Sequence, residues 1–184
     1  MEILSEIKSK TAWIVDPSHS ELSFRVKHLM ITNVTGKFQK FEAAVSGPDF
    51  TKSPIRVVID AASVDTNDSN RDGHLLSADF FDVDVFPKIT FESTSFRKLN
   101  DNAFELTGML EIKGVGKEVK LDVEYGGTTK DPWGNEKAGF TVSGKINRKD
   151  WGLNWNSALE TGGVLVSEEV KINADVQLMR QVTQ

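Results

Sequence analysis

From Thr11 onward the chain alternates apolar and polar residues with a period of two, the signature of strands with one buried face. Trp13 and Val15 open the series. Leu22, Phe24, Val26 and His28 alternate with Ser23, Arg25 and Lys27. Phe41, Ala43 and Val45 lead into a Gly47-Pro48-Asp49 turn signal, and Ile55, Val57, Ile59 and Ala61 follow it. Ile89, Phe91 and Ser93 alternate with Thr90, Glu92 and Thr94. Phe104, Leu106, Gly108, Leu110 and Ile112 form the cleanest run, which ends at Gly114. Val119, Leu121, Val123 and Tyr125 oppose Lys120, Asp122 and Glu124. A turn at Asp131-Pro132-Trp133-Gly134 precedes Phe140, Val142, Gly144 and Ile146, and a last run covers 164–179. The pattern predicts about eight or nine strands joined mostly by hairpin turns.

Two segments break this period. The stretch 71–91, RDGHLLSADFFDVDVFPKITF, carries Leu75, Leu76, Phe80, Phe81, Val83, Val85 and Phe86. Connections between strands are normally short and polar. A crossing this apolar must bury itself against the sheet. Ser69 and Asp72 have the spacing of a capping box, which predicts a short helix over about 69–78, limited by Gly73. The second segment, 151–159, is aromatic without a clean period and reads as a loop or a single helical turn.

Every strand has one apolar and one charged face, which implies a single two-sided sheet. The expected fold is all-β: an extended antiparallel eight-stranded barrel, closed to bury that face and remove its edges. A β-sandwich is the alternative, with shorter strands. One domain over 11–180 is expected, after a charged lead over 1–10 that is frayed or briefly helical, and before a tail at 181–184. Ala43, Ala61, Ser93, Gly108, Gly144 and Ala174 fall on the inward phase. Either they leave a long void, or they ease bends and fit the barrel's taper.

Composition narrows the function. The 184 residues carry a net charge of −5, without the basic patch that nucleic-acid binding needs. There is no cysteine, so disulfides, thiol nucleophiles and thiolate metal sites are excluded. No window approaches the ~20 apolar residues of a membrane-spanning helix. Glu2, Glu6 and Lys8 interrupt the start, so no export signal is read and a cytoplasmic protein is expected. His19, His28 and His74 are scattered, which makes a poor metal site. Nucleophile-elbow, phosphate-loop and zinc-protease motifs are absent.

Specific residues carry a family resemblance. They are Trp13-x-x-Asp16-x-x-His19-Ser20 with Leu22-x-Phe24-x-Val26-x-His28, and Gly36-Lys37-Phe38-x-x-Phe41. Arg71-Asp72-x-His74-Leu75-x-Ser77-x-Asp79-Phe80-Phe81-Asp82 runs on to Phe86-Pro87-x-Ile89-x-Phe91-x-Ser93. Gly108-x-Leu110-x-Ile112-x-Gly114 and Arg148-x-Asp150-Trp151-Gly152 complete the set. In this order, over roughly 11–180, the chain resembles the YceI-like polyisoprenoid-binding proteins of bacteria. The resemblance implies a lipocalin-like barrel that threads an amphiphilic lipid into an apolar tunnel: an isoprenoid quinone, a polyprenyl phosphate or a fatty amide. It implies binding rather than catalysis, no cofactor beyond that ligand, and a homodimer as a frequent assembly. Many members are exported, a point on which this chain's start departs from the family.

On that basis the tunnel wall is assigned to Phe24, Val26, Phe41, Phe91, Leu110, Ile112, Val123, Phe140 and Val142. Leu75, Leu76, Phe80 and Phe81 are assigned to one end. Plain core packing competes at each position. His28 points inward, toward a ligand head group or as a core histidine. Trp155 stacks on a ligand ring or plugs an end, and Trp151 is read as a plug. No catalytic residue and no metal ligand are assigned. Arg71, Asp72, Asp79 and Asp82 are read as caps and braces, and Arg148 and Asp150 as a bracing pair. Glu168 is in phase with inward residues; a bulge re-aims it, or it is a buried carboxylate partnered by Arg148. Two other functions compete: a self-filled barrel acting as an interaction protein, and an enzyme using the same cavity.

Overall fold

The computed structural model describes Ile3, Ile7 and residues 9–182. Strands β1 (Thr11–Val15) and β2 (Glu21–His28) run in one direction and both pair with β11 (Glu169–Val182). A 3-10 turn over Pro17–His19 separates them. In the same way β3 (Thr32–Phe38) continues into β4 (Phe41–Val45), and β5 (Ile55–Asp60) into β6 (Val64–Asp65). With β7 (Lys88–Lys98), β8 (Ala103–Ile112), β9 (Val115–Lys130) and β10 (Glu136–Asn147), the described residues form three broken staves and five continuous ones. Each pairs antiparallel with the next in sequence, and the β1–β11 pairing closes the ring. The fold is a closed eight-stranded antiparallel barrel, and the sandwich alternative falls.

The breaks have local causes. Asp16 accepts the backbone N–H of Ser18 and Asp60 that of Ala62, each at 3.1 Å, and these bonds start the 3-10 turns. Asp16 also takes the Lys137 ammonium at 2.8 Å, tying the break to β10. That bond, with the Ser18 and His19 side chains, holds its carboxyl far below the usual carboxylate range.

Alternation is cleanest on β8, where Leu106, Leu110 and Ile112 are buried beside exposed Met109 and Glu111. β1 is buried on both faces. Trp13 and Val15 point inward, while Ala12 and Ile14 are covered from outside by Ile3, which packs also on Ala44 and Val58. The Ile3 N–H donates to the Glu42 carboxylate at 3.1 Å. Ile7 packs against the same cluster, and the rest of the expected frayed or helical lead before Ser9 lies outside the described residues. At the other end β11 continues to Val182, pairing with Thr11, where a tail was expected. Residues 183–184 are not described.

Further expectations need correction. β3 went unread because its inward phase, Thr32, Val34, Gly36 and Phe38, holds only two apolar side chains. The last run does not begin a strand at 164; β11 starts at Glu169. From Arg25 to His28 is three steps, while their partners Lys171 and Val166 are five steps apart. Two extra residues therefore bulge from this side, and Glu168 turns outward to Lys149, 2.7 Å away. This bond holds its carboxyl below the usual carboxylate range. Helix α1 (Ser69–Leu76) is capped by Asp68, which accepts the Arg71 N–H at 3.0 Å. Asp72 instead accepts the N–H and hydroxyl of Thr66, at 2.8 and 2.5 Å, tying the helix back to the end of β6.

An antiparallel meander places alternate connections at opposite ends. The β2–β3 turn, α1 with the rest of 66–87, the β8–β9 turn and 148–168 gather at one end, called here the helix end. The loops 46–54, 99–102 and 131–135 lie at the other.

Candidate functional site

The barrel encloses a cavity of about 590 Å³, well within the ~300–1,000 Å³ range of small-molecule sites. Phe24, Val26 and His28 face it from β2, Phe41 from β4 and Phe91 from β7. Leu110 and Ile112 face it from β8, Val123 from β9, and Phe140 and Val142 from β10. Leu75, Phe80 and Phe81 reach it from the crossing and Trp155 from the 152–168 segment. Leu76 does not. On α1 the cavity is met by Asn70, Arg71, His74 and Leu75. Leu76 lies about 100° further round the helix and packs into the core instead.

The small inward residues do not all widen the space. At Gly108 a Cβ would come 2.4 Å from the Phe91 ring, so that ring lies over the glycine and forms the wall itself.

The wall is asymmetric. Its charged and imidazole groups, His28, Arg71, His74 and Arg148, all sit at the helix end. Arg71 donates from Nε to the Thr66 hydroxyl and from Nη2 to the Thr66 carbonyl, both at 2.8 Å. His74 Nε2 lies 2.9 Å from the Asp79 carboxylate. Its ring meets Phe80 and Trp155 edge-on, with centroids 5.1 and 4.6 Å away. His74 thus both ties the helix to Asp79 and faces the cavity.

Arg148 is 3% exposed. Its guanidinium donates to four carbonyls: Leu153 (2.6 Å), Trp155 (2.8 Å), Ser167 (2.9 Å) and Val166 (3.3 Å). Burial pulls its pKa down from the ordinary guanidinium value, and the nearby Glu168 charge opposes that. The expected brace to Asp150 or Glu168 is replaced by this carbonyl cage, which shapes 152–168 around the cavity. Trp151, 2% exposed, donates its indole N–H to the Leu110 carbonyl at 2.9 Å and packs in the core off the cavity.

The far end is aromatic. Phe50, on the 46–54 loop, stands 5.0 Å from the rings of both Trp13 and Phe140 and borders the cavity. Tyr125 and Phe96 pack against Phe140, and Phe104 stacks on Phe96. Of these six rings only Phe50 comes from a loop. Sequence reasoning missed it because a loop has no period. Leu106, Val119 and Leu121 also line the cavity and were in phase, so their alternation was the available signal.

No helix among the described residues is long and apolar enough to cross a membrane. The model of the YceI-like domain family matches residues 13–178. A UPF0312 protein of Staphylococcus aureus strain N315 is 42% identical over 170 residues, covering 91% of this chain and 96% of that protein. Among solved structures, a Campylobacter jejuni YceI protein superposes with TM-score 0.72 at 34% identity, over 83% of this chain and 88% of that one. BcnA of Burkholderia cenocepacia gives TM-score 0.77 at 25% identity, covering 89% and 98%. A polyisoprenoid binding domain from Saccharophagus degradans shares the fold, with TM-score 0.67 at 16% identity, covering 94% and 99%. The chain belongs to the YceI-like family.

Proposed function

We propose that this protein binds a long-chain isoprenoid or related amphiphilic lipid inside the barrel, as a carrier or sequestering protein. The observation that carries the reading is the asymmetry of the cavity. Its long apolar wall suits a tail, and its charged and imidazole groups gather at one end, where a head group needs partners. The tail lies among Phe24, Val26, Phe41, Phe91, Leu110, Ile112, Val123, Phe140 and Val142. The head group sits at the helix end near His28, Arg71 and His74, with Leu75, Phe80, Phe81 and Trp155 closing round it. Burial supplies the affinity at ~0.8 kcal/mol per CH₂. The polyisoprenoid binding domain with the same fold supports the ligand class. A self-filled barrel is a weaker reading because the space is there.

Native mass spectrometry of freshly purified protein, followed by organic extraction, tests the proposal. The expected result is a stoichiometric long-chain species. A clean apo mass, with no uptake of geranylgeraniol or menaquinone on titration, contradicts it.

A further inference from the structure

We propose that the β2–β3 hairpin tip at the helix end is a docking surface for a lipid bilayer, from which the cavity is loaded. This rests on the carrier reading and adds to it a place of contact. The tip carries Leu29, Met30 and Ile31, which are 41%, 55% and 78% exposed. Leu29 and Met30 adopt left-handed backbone conformations, with φ of 52° and 63°. Glycine or asparagine takes such positions at little cost, and large apolar side chains do not. Unfavourable backbone is thus spent on holding apolar side chains in water.

The tip is joined to the cavity mouth. Leu29 N–H donates to the Leu165 carbonyl at 2.9 Å, and His28 bridges to Val166. His28, Leu165 and Val166 all border the cavity. Met30 lies over Gly163, where a Cβ would come 2.0 Å from its Sδ, so tip and loop form one lip. Val164, 36% exposed, extends the apolar surface along that lip.

The size of the patch selects its occupant. Four residues, from 36% to 78% exposed, make a patch well short of the ~800 Å², or about 20–30 residues, that each partner gives to a stable protein interface. A narrow tip instead suits insertion to the ~5–10 Å depth of the headgroup boundary. The chain's net charge of −5 gives no general attraction to anionic lipid. Docking is therefore apolar, insensitive to salt and effective on zwitterionic bilayers. A tail passing from bilayer to cavity then stays beside apolar side chains.

The test is sedimentation of the full chain with phosphatidylcholine vesicles, beside uptake of geranylgeraniol from detergent micelles. Ile31→Asp and Met30→Asn are compared with the unaltered chain; Asn relaxes the left-handed turn, so loss of folding is not the cause of its effect. The expected result is that both variants lose vesicle partitioning by at least about tenfold, at low and high salt alike, and keep micelle uptake. Equal partitioning of all three proteins overturns the proposal. So does an unaltered chain that ignores vesicles and instead forms dimers broken by Ile31→Asp, which would assign the tip to a second copy. Tip-dependent sedimentation with no micelle uptake by any protein supports docking and overturns the carrier reading.

Discussion

Replacing Phe50 by alanine should lengthen the ligand the barrel prefers. Phe50 is the loop-borne ring at the far end of the cavity, 5.0 Å from Trp13 and from Phe140. No strand pairing involves it, so the sheet is left intact. A fully buried Phe→Ala change costs ~3–5 kcal/mol, and this half-buried ring should cost about 2. A domain with ~5–15 kcal/mol of stability survives that. The space released lies in line with the proposed tail. Each additional CH₂ buried gains ~0.8 kcal/mol, so four more carbons gain about 3 kcal/mol, roughly a hundredfold in affinity. The assay is displacement of a fluorescent ligand by a series of prenols of increasing chain length. The variant should shift its optimum upward by about one isoprene unit and favour the longer prenol by 10- to 100-fold over the unaltered protein. Phe104→Ala is the control, since Phe104 stacks on Phe96 but does not border the cavity. It should lower stability and leave chain-length preference alone. An unchanged preference in Phe50→Ala, or the same shift in both variants, refutes the reasoning.

Three other outcomes follow from the structure. Arg148→Met leaves the carbonyls of Leu153, Trp155 and Ser167 without their side-chain donor, while that of Val166 keeps the Asn156 amide; urea unfolding should show a loss of ~3–5 kcal/mol, and a loss under 1 would contradict the cage. Ala174→Phe fills the cavity from β11 and should reduce prenol uptake by at least about tenfold with little loss of Tm, read by titration and calorimetry on the same sample. Asp16 has a folded pKa below its ordinary 3.8 through its bond to Lys137, so its contribution to stability is full above that value and fades as pH falls through the folded pKa. The Tm gap between Asp16→Asn and the unaltered protein should thus be widest near neutral pH and shrink below about pH 4; a gap that grows on acidification would refute the sign.

The barrel was legible where one face is uniformly apolar, as on β8 and β9. There the inward positions from Leu106 to Ile112 and from Val119 to Val123 carry the period without interruption. It was not legible on β3, where the inward phase holds polar Thr32 and bare Gly36 beside Val34 and Phe38, and so has only two apolar side chains. On β1 the inward phase of Trp13 and Val15 was legible, but the burial of Ala12 and Ile14 on its outer face was not, because Ile3 from the lead covers them. Most of the cavity wall followed from strand phase. Of the groups that give the cavity direction, His28 followed from the phase of β2 and the others did not, because Arg71 and His74 lie on a helix, Arg148 on a turn and Phe50 on a loop. Arg148 shows the difficulty most plainly. Its sequence neighbours offered carboxylates, while its partners are backbone carbonyls up to 19 residues away. Which helical side chain meets the cavity depended on the docking angle of α1, so Leu75 and Leu76 were indistinguishable from their spacing alone.

The most direct measurement of the central claim is an isotope-filtered NOE experiment on methyl-labelled protein with unlabelled geranylgeraniol. The account predicts contacts from the tail to interior methyls of Leu110, Val142 and Ala174, and the hydroxyl end nearest the helix end of the barrel. Contacts confined to outer methyls such as Met109 and Val182, which are 45% and 66% exposed, would contradict it.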